Sequence, residues 1–286
     1  MIPLDELAGR VTFIAGSAKN AGKTTLLVYL LRLLRGSGAL CFGSAGLDGE
    51  QTCAVTGEEK PSVTCLPGDL VITSSRAVEE SRGNFEILEV FPWHTGMGRT
   101  VLVRTLREGS LELVRPETNS RLGIVLETAR ALYPDLTVLV DGAAGRLTQS
   151  ASVLRAGYLY TALMNPSNVE KVSRRIRLLG LLDRLPEWRD ETEEAVMIPG
   201  ALTGKTILPE GTEPVVLEDH GRVFMTCREF EKLTASRRVY TRRKIPLRFC
   251  VPRFVDLERK KALSELKKTA PEVTFVMNPF EEMEDG

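Results

Sequence analysis

The chain of 286 residues has no net charge to offer, because Lys plus Arg equals Asp plus Glu at 38 each. That balance excludes a global electrostatic pull toward nucleic acid or an anionic membrane. Histidine is nearly missing: only His94 and His220 occur, and neither sits in a recognisable partner motif. The five cysteines, at positions 41, 53, 65, 227 and 250, contain no Cys-x-x-Cys pair. The evenly spaced first three have no histidine or further cysteine nearby to complete a metal set, so reduced, scattered thiols are expected. Long apolar runs are lacking too, which excludes a bilayer-spanning helix. No signal peptide is read ahead of the first strand, and a cytoplasmic location is expected. Repeats, low-complexity tracts and linkers are missing as well. With 43% apolar residues, that pattern points to one ordered globular domain over 1–286.

Against this plain background one stretch stands out. Val11-Thr12-Phe13-Ile14 reads as a short buried strand, followed by a small-residue loop and the step Gly22-Lys23-Thr24-Thr25. Leu26 to Arg35 then reads as an apolar helix that Gly36 can end. Strand, glycine-bearing loop and helix start make the phosphate cradle of P-loop proteins, in which backbone N–H groups and the helix dipole hold a polyphosphate. Expected nucleotide contacts are Ser17, Ala18, Lys19, Asn20, Ala21, Gly22, Lys23, Thr24 and Thr25. Lys23 would reach the β- and γ-phosphates, and Thr24 would offer its hydroxyl to Mg²⁺. One departure is visible: Ser17 stands where the pattern has its first glycine, with Gly16 one place early. The bland alternative is an ordinary strand-to-helix turn with an exposed lysine.

A second strand at 39–43 leads to Asp48-Gly49-Glu50. Ligands gather at the carboxyl ends of parallel strands, so Asp48 and Glu50 are candidates to orient an attacking water, Asp48 first. An acidic turn is the equal alternative. Residues 51–68 read as a surface loop, and 69–115 as a β-rich insertion. Its strands lie at 70–73, 85–90, 100–104 and 110–114, with Glu108-Gly109 as a hairpin signal and Trp93 to Arg99 as a connecting loop. Asn119 or Ser120 would cap a helix that Tyr133-Pro134-Asp135 stops. The apolar run Leu136 to Val140 then ends in Asp141, the position of the second metal-binding element of P-loop enzymes.

Further on, a strand at 157–163 passes through Asn165 to Asn168 into a capped helix. Its face is Val169, Val172, Ile176 and Leu179, and Arg174, Arg175 and Arg177 form its solvated side. A second Gly-Lys-Thr at 204–206 has no strand-loop register before it and is not taken as a phosphate site. Short strands are expected at 215–217 and 223–225. The basic run Arg237 to Lys244 is a solvated face or a partner surface. The chain closes with a β-α-β unit, made of 248–251, a helix at 257–268 and 273–277, ahead of an acidic tail.

Several segments together resemble one family. They are the Gly16–Thr25 loop, Asp48-Gly49-Glu50 with Lys60-Pro61, Gly68-Asp69-Leu70-Val71 and Thr95-Gly96-Met97-Gly98. Glu112 to Pro116 with Asn119-Ser120, Val140-Asp141-Gly142-Ala143, Pro199 to Thr203 and the terminal Asn278-Pro279-Phe280 complete the set. In this order they look like the P-loop subunit associated with the reactivase of lysine 5,6-aminomutase, an adenosylcobalamin enzyme. The loop Lys19 to Thr25 is also similar to that of the molybdopterin-guanine dinucleotide biosynthesis adapter family, which the β-rich and C-terminal segments fit poorly. An Asn-Lys-x-Asp guanine-reading motif is missing, which favours ATP.

The resemblance implies a P-loop three-layer α/β fold with a mainly parallel sheet, ATP and Mg²⁺ as cofactors, and slow hydrolysis spent on a partner enzyme or companion reactivase subunit. Thr24 and Asp141 would share the metal. No Asp-x-His-x-x-Gly loop is present, so the corrin is expected to stay on the aminomutase. A homodimer is open. In dimeric P-loop ATPases an extra lysine reaches the partner's nucleotide from five places before the loop lysine, where Ala18 stands here, so Lys19 is expected to act locally. The alternative function is a nucleotide-sensing adapter or assembly factor without hydrolysis.

Overall fold

A computed structural model describes residues 2–45, 62–144, 156–189, 194–211 and 213–277. The chain divides into two compact units, one of 2–15 and 22–144, the other of 1, 16–21 and 145–286.

The first unit carries β1 (Val11–Gly16), α1 (Lys23–Leu34), β2 (Leu40–Ser44), β3 (Ser62–Cys65) and β4 (Leu70–Ser74). It continues with α2 (Ser75–Glu80), β5 (Asn84–Thr95), β6 (Gly98–Arg107), β7 (Gly109–Glu112), α3 (Asn119–Leu132) and β8 (Thr137–Ala144). Strand order in its sheet is β1-β8-β2-β4-β6-β5. β2 runs parallel to both β8 and β4, whereas β6 is antiparallel to β4 and β5. Continuous apolar sequence explains the centre: all of β1 and residues 138–140 of β8 are buried, as strands covered on both faces must be. β5 lies at the end of the order, and its Pro92, lacking an N–H to donate, is tolerable there.

Helix α1 buries Leu26, Leu27, Leu30, Leu31 and Leu34, one face at helical spacing. Its end is held by Arg35, whose guanidinium donates to both carboxylate oxygens of the buried Asp69, at 3.3 and 2.6 Å, and to the Thr64 carbonyl at 2.8 Å. α3 is capped by neither Asn119 nor Ser120 but by Thr118, one residue earlier, whose hydroxyl accepts from the Arg121 N–H at 3.2 Å.

Two details of the β-rich stretch depart from expectation. Within the anticipated 51–68 loop, Ser62–Cys65 forms β3 and pairs antiparallel with β7. Glu108-Gly109 is therefore not a hairpin turn: β6 spends its edges on β4 and β5, leaving β7 to β3. Trp93 to Arg99 is no loop either. The ladder continues through His94↔Arg99 and Thr95↔Gly98, so Gly96-Met97 is the two-residue tip of a hairpin. The short α2, capped by the Ser74 hydroxyl, was not anticipated.

The second unit holds β9 (Gly157–Met164), α4 (Val169–Asp183), β10 (Val196–Ile198), β11 (Leu202–Thr203), β12 (Val215–Asp219) and β13 (Val223–Phe224). Then follow α5 (Cys227–Ser236), β14 (Val239–Arg243), β15 (Leu247–Phe254) and α6 (Arg259–Thr269). β9 and β15 pair in parallel, as do β10, β12 and β14 in a small sheet and β11 with β13. Leu178, Leu182, Val215, Leu217 and Phe230 are among the residues that close the core around that small sheet. On α4 only Arg174 of the expected solvated side is exposed, paired with Glu170; Arg175 and Arg177 are half-buried, and Arg177 ties the helix to its neighbours through Glu231 and the Thr269 carbonyl.

Helix α5 is absent from the sequence expectations although its signal is present. Thr226 and Glu229 form a reciprocal capping box just ahead of the apolar Phe230 and Leu233. The basic run is partly strand β14, with Arg243 paired to Glu218 and Asp219. The expected last strand shrinks to a single bridge, Phe275 to Cys250. The protein is a mixed α/β fold whose strands pair mostly in parallel, and no helix among the described residues is long and apolar enough to cross a membrane.

Candidate functional site

Gly22 occupies the N-cap of α1 with φ 88° and ψ 18°, in the left-handed region. Nothing lies within 4 Å of where a Cβ would stand, so the glycine is required by backbone conformation and not by space. Lys23 and Thr24 open the helix, and its first turn carries no acidic residue, so nothing of its own neutralises the positive end of the helix dipole.

Into that first turn comes a carboxylate from far along the chain. The Thr24 hydroxyl donates to Asp141 Oδ2 at 2.6 Å, across 117 positions of sequence. Asp141 is positioned by its strand: β8 pairs with β2 so that Asp141 lies opposite Ser44, and the Ala45 N–H donates to the Asp141 carbonyl at 2.7 Å. A buried apolar run fixes the strand, and its register delivers the side chain to the helix start. The pair belongs wholly to the first unit.

The preceding loop residues, Ser17 to Ala21, belong to the second unit. Ala18, Lys19 and Asn20 are exposed, Ser17 is half-buried and Ala21 is buried. The Ser17 N–H donates to the Thr161 carbonyl at 2.9 Å, as a glycine's would, but its hydroxyl, which a glycine lacks, accepts from the Leu163 N–H at 2.9 Å. The departure from the glycine pattern thus has a job, to tie the loop's start to β9. Asn20 takes φ 62°, a conformation in which asparagine is among the least strained of non-glycine residues. Thr25, in the first turn of the helix, is exposed. Asp48 and Glu50 lie outside the described residues, as do Cys53 and the terminal Asn278-Pro279-Phe280.

Among the described residues no group of three or more His, Cys, Asp or Glu could hold a metal. Mg²⁺ in a phosphate loop asks for less: one hydroxyl and one carboxylate, the remaining ligands being phosphate oxygens and water. Thr24 and Asp141 are hard oxygen donors already brought together, and they fit that need. The second Gly-Lys-Thr does not. It lies in a turn after β11, where the Thr203 N–H donates to the Thr206 hydroxyl at 2.9 Å, and no helix begins there.

Four cysteines, Cys41, Cys65, Cys227 and Cys250, are free and buried. Burial pushes each thiol up, Cys65 to about 12, which keeps them protonated and unreactive.

His220, by contrast, sits in no sequence motif but in an unusual place. It is 2% exposed and follows the buried Asp219 at the end of β12. Burial first, then the nearby Lys244 charge, pushes its pKa down to about 4, with the Ile245 backbone opposing weakly. Because the unfolded chain takes up this proton first, stability is complete above the ordinary value near 6.5 and falls as the pH drops toward 4. The expected loss is on the order of 3 kcal/mol. Urea melts at pH 7 and pH 4.5 check this: His220→Gln should lose markedly less between the two than the parent protein does. An identical loss in both would show that His220 contributes nothing.

Searches of protein-family models, curated proteins and solved structures give no match.

Proposed function

We propose that this protein is a P-loop nucleotide-binding protein of three-layer α/β architecture that takes Mg²⁺ and ATP, hydrolyses ATP slowly and uses its nucleotide state to act on a partner enzyme. The observation that carries the reading is the hydrogen bond from Thr24 to Asp141, which joins the residue after the loop lysine to an aspartate in β8, three residues before that strand ends. An ordinary strand-to-helix turn has no need of such a partner, whereas a phosphate site with a metal needs these two groups together. The glycine-only backbone at Gly22 and the acid-free first turn of α1 support the same reading.

In this reading the backbone N–H groups of the loop and Lys23 hold the polyphosphate, and Thr24 and Asp141 hold Mg²⁺. The metal supplies charge neutralisation on the phosphates being separated. The Lys23 ammonium, positive like the metal, does the same from the protein's side, stabilising negative charge as it grows. Asp48 and Glu50 remain the candidates to orient water.

The partner comes from the resemblance set out above: an adenosylcobalamin-dependent aminomutase or its companion reactivase subunit, met in the cytoplasm. Partner binding that differs between the ATP and ADP forms follows, since a ligand shifts an equilibrium only by its differential affinity. Multiple-turnover phosphate release, with and without a purified aminomutase, tests the activity. Slow basal release that rises with the partner is expected. Tight ATP binding with no release in either condition would replace the ATPase by a nucleotide-sensing adapter.

A further inference from the structure

The chain as a whole balances its charges, but helix α6 does not. Arg259–Thr269 holds five cations and a single acid, Glu265. At 3.6 residues per turn, positions 260, 261, 264, 267 and 268 fall within about a third of the helix circumference. All five are exposed, whereas Leu266 on the far side is buried and Ala262 and Leu263 are half-buried. The solvent face therefore reads Lys260, Lys261, Ser264, Lys267 and Lys268. Ser264 stands between two lysine pairs, three or four residues from each lysine, the spacing at which helix side chains are neighbours. Along the axis the two pairs lie about 10 Å apart.

Little of this charge is spent inside the protein. Lys268 meets Glu265 at 2.7 Å, with both side chains more than half exposed, and Lys261 lies within electrostatic reach of the same carboxylate. Among the described residues Lys260 and Lys267 have no ion-pair partner. On α4, by contrast, the exposed Arg174 is paired with Glu170 one turn away.

The make-up of the face narrows what fits over it. No aromatic residue stands in α6, so there is no platform on which a base could stack. None of its exposed residues is apolar, so nothing is there to insert among lipid tails. Lysine ammonium groups are point charges, without the planar fork that takes phosphate oxygens in pairs. A face about 12 Å long reaches only a few phosphates of a duplex, and the rest of the chain adds no net positive charge to the hold. Carboxylates spaced along a protein segment complement it directly.

We propose that the lysine face of α6 is a docking surface for an acidic segment of a partner protein, whose carboxylates pair with Lys260, Lys261, Lys267 and Lys268 across Ser264. The proposal does not depend on the phosphate-loop reading, because no residue of α6 enters that site.

Three probes test it on the full chain at low salt: a labelled peptide of about eight glutamates, a labelled duplex of about twenty base pairs, and vesicles rich in phosphatidylserine. Each is offered to the parent protein and to the fourfold variant Lys260→Gln, Lys261→Gln, Lys267→Gln and Lys268→Gln. A control removes as much charge elsewhere, by Lys171→Gln, Lys205→Gln, Arg228→Gln and Lys232→Gln, all at exposed positions. The glutamate peptide should bind parent and control alike, and the α6 variant about tenfold or more weakly, the product of several exposed pairs each worth little alone. Raising the salt to about 0.3 M should weaken the parent in the same way. Circular dichroism and the thermal midpoint of the α6 variant should match the parent, since exposed lysine and glutamine are similar helix formers. Carbodiimide cross-linking of the peptide to the unaltered chain, mapped by mass spectrometry, gives a readout free of any substitution, and its links should fall on the four α6 lysines. A parent that does not bind the peptide overturns the proposal, as do equal binding by parent and α6 variant and links scattered over other lysines. Tighter binding of the duplex or the vesicles than of the peptide overturns it too, by giving the face to another polyanion.

Discussion

Lys23→Ala is expected to lower ATP affinity by about a hundredfold or more, with the thermal midpoint almost unmoved. The size follows from what the ammonium would do: meet two phosphates at once through charge-assisted bonds, each among the stronger of its kind. Two such contacts, at about 1.5 kcal/mol each, multiply to roughly a hundredfold. The fold should survive because Lys23 is the first residue of α1 and contributes nothing to the leucine face that the helix buries. Calorimetry for binding and a melt for stability, on the same preparation, separate the two effects. A variant that binds ATP normally removes the phosphate loop; a variant that fails to fold is replaced by Lys23→Gln, which keeps the stem.

The second large effect belongs to the Thr24–Asp141 pair. Thr24→Val and Asp141→Asn should each cost roughly ten- to a hundredfold of ATP affinity in the presence of Mg²⁺, and little in its absence. Both residues would act through one ion, so their losses should not add: the double variant should bind about as weakly as the worse single one. That non-additivity is the sharper signature, since two residues contributing separately to the fold would give losses that sum. It also guards against a purely structural role. The hydrogen bond between them at 2.6 Å would make each substitution mildly destabilising, yet such destabilisation would be the same with Mg²⁺ and with chelator. Equal losses in both conditions would assign the pair to the fold and not to a metal.

Much of this site is legible in the sequence because its determinants are local. Val11 to Ile14 is apolar or β-branched at every position, Gly22 precedes the lysine, and Leu26 to Leu34 repeats at helical spacing. Those signals fix a strand, a turn and a helix without help from the rest of the chain. Asp141 was legible for a similar reason, standing at the end of an apolar run. What could not be read is the pairing. Nothing in Leu136 to Val140 says that its strand lies beside β2, and that register is what carries Asp141 to Thr24.

The same holds where expectation failed. Gly109 looked like a hairpin turn because the two flanking runs were neighbours in sequence, but β7 found β3 instead. Ser17 looked like a defect in the glycine pattern until Leu163 supplied its partner. Helix α5 is the exception. Its Thr226-Glu229 capping box is a local signal that was present and overlooked, the Cys227 to Ser236 stretch having few apolar residues to catch the eye.

One titration bears most directly on the claim that this is a Mg²⁺-dependent nucleotide-binding protein: ATP into the unmodified full chain, once with Mg²⁺ and once with chelator. Saturable binding of one ATP per chain is expected, tighter with Mg²⁺ by tenfold or more. No saturable heat in either condition, at protein concentrations well above micromolar, would contradict it.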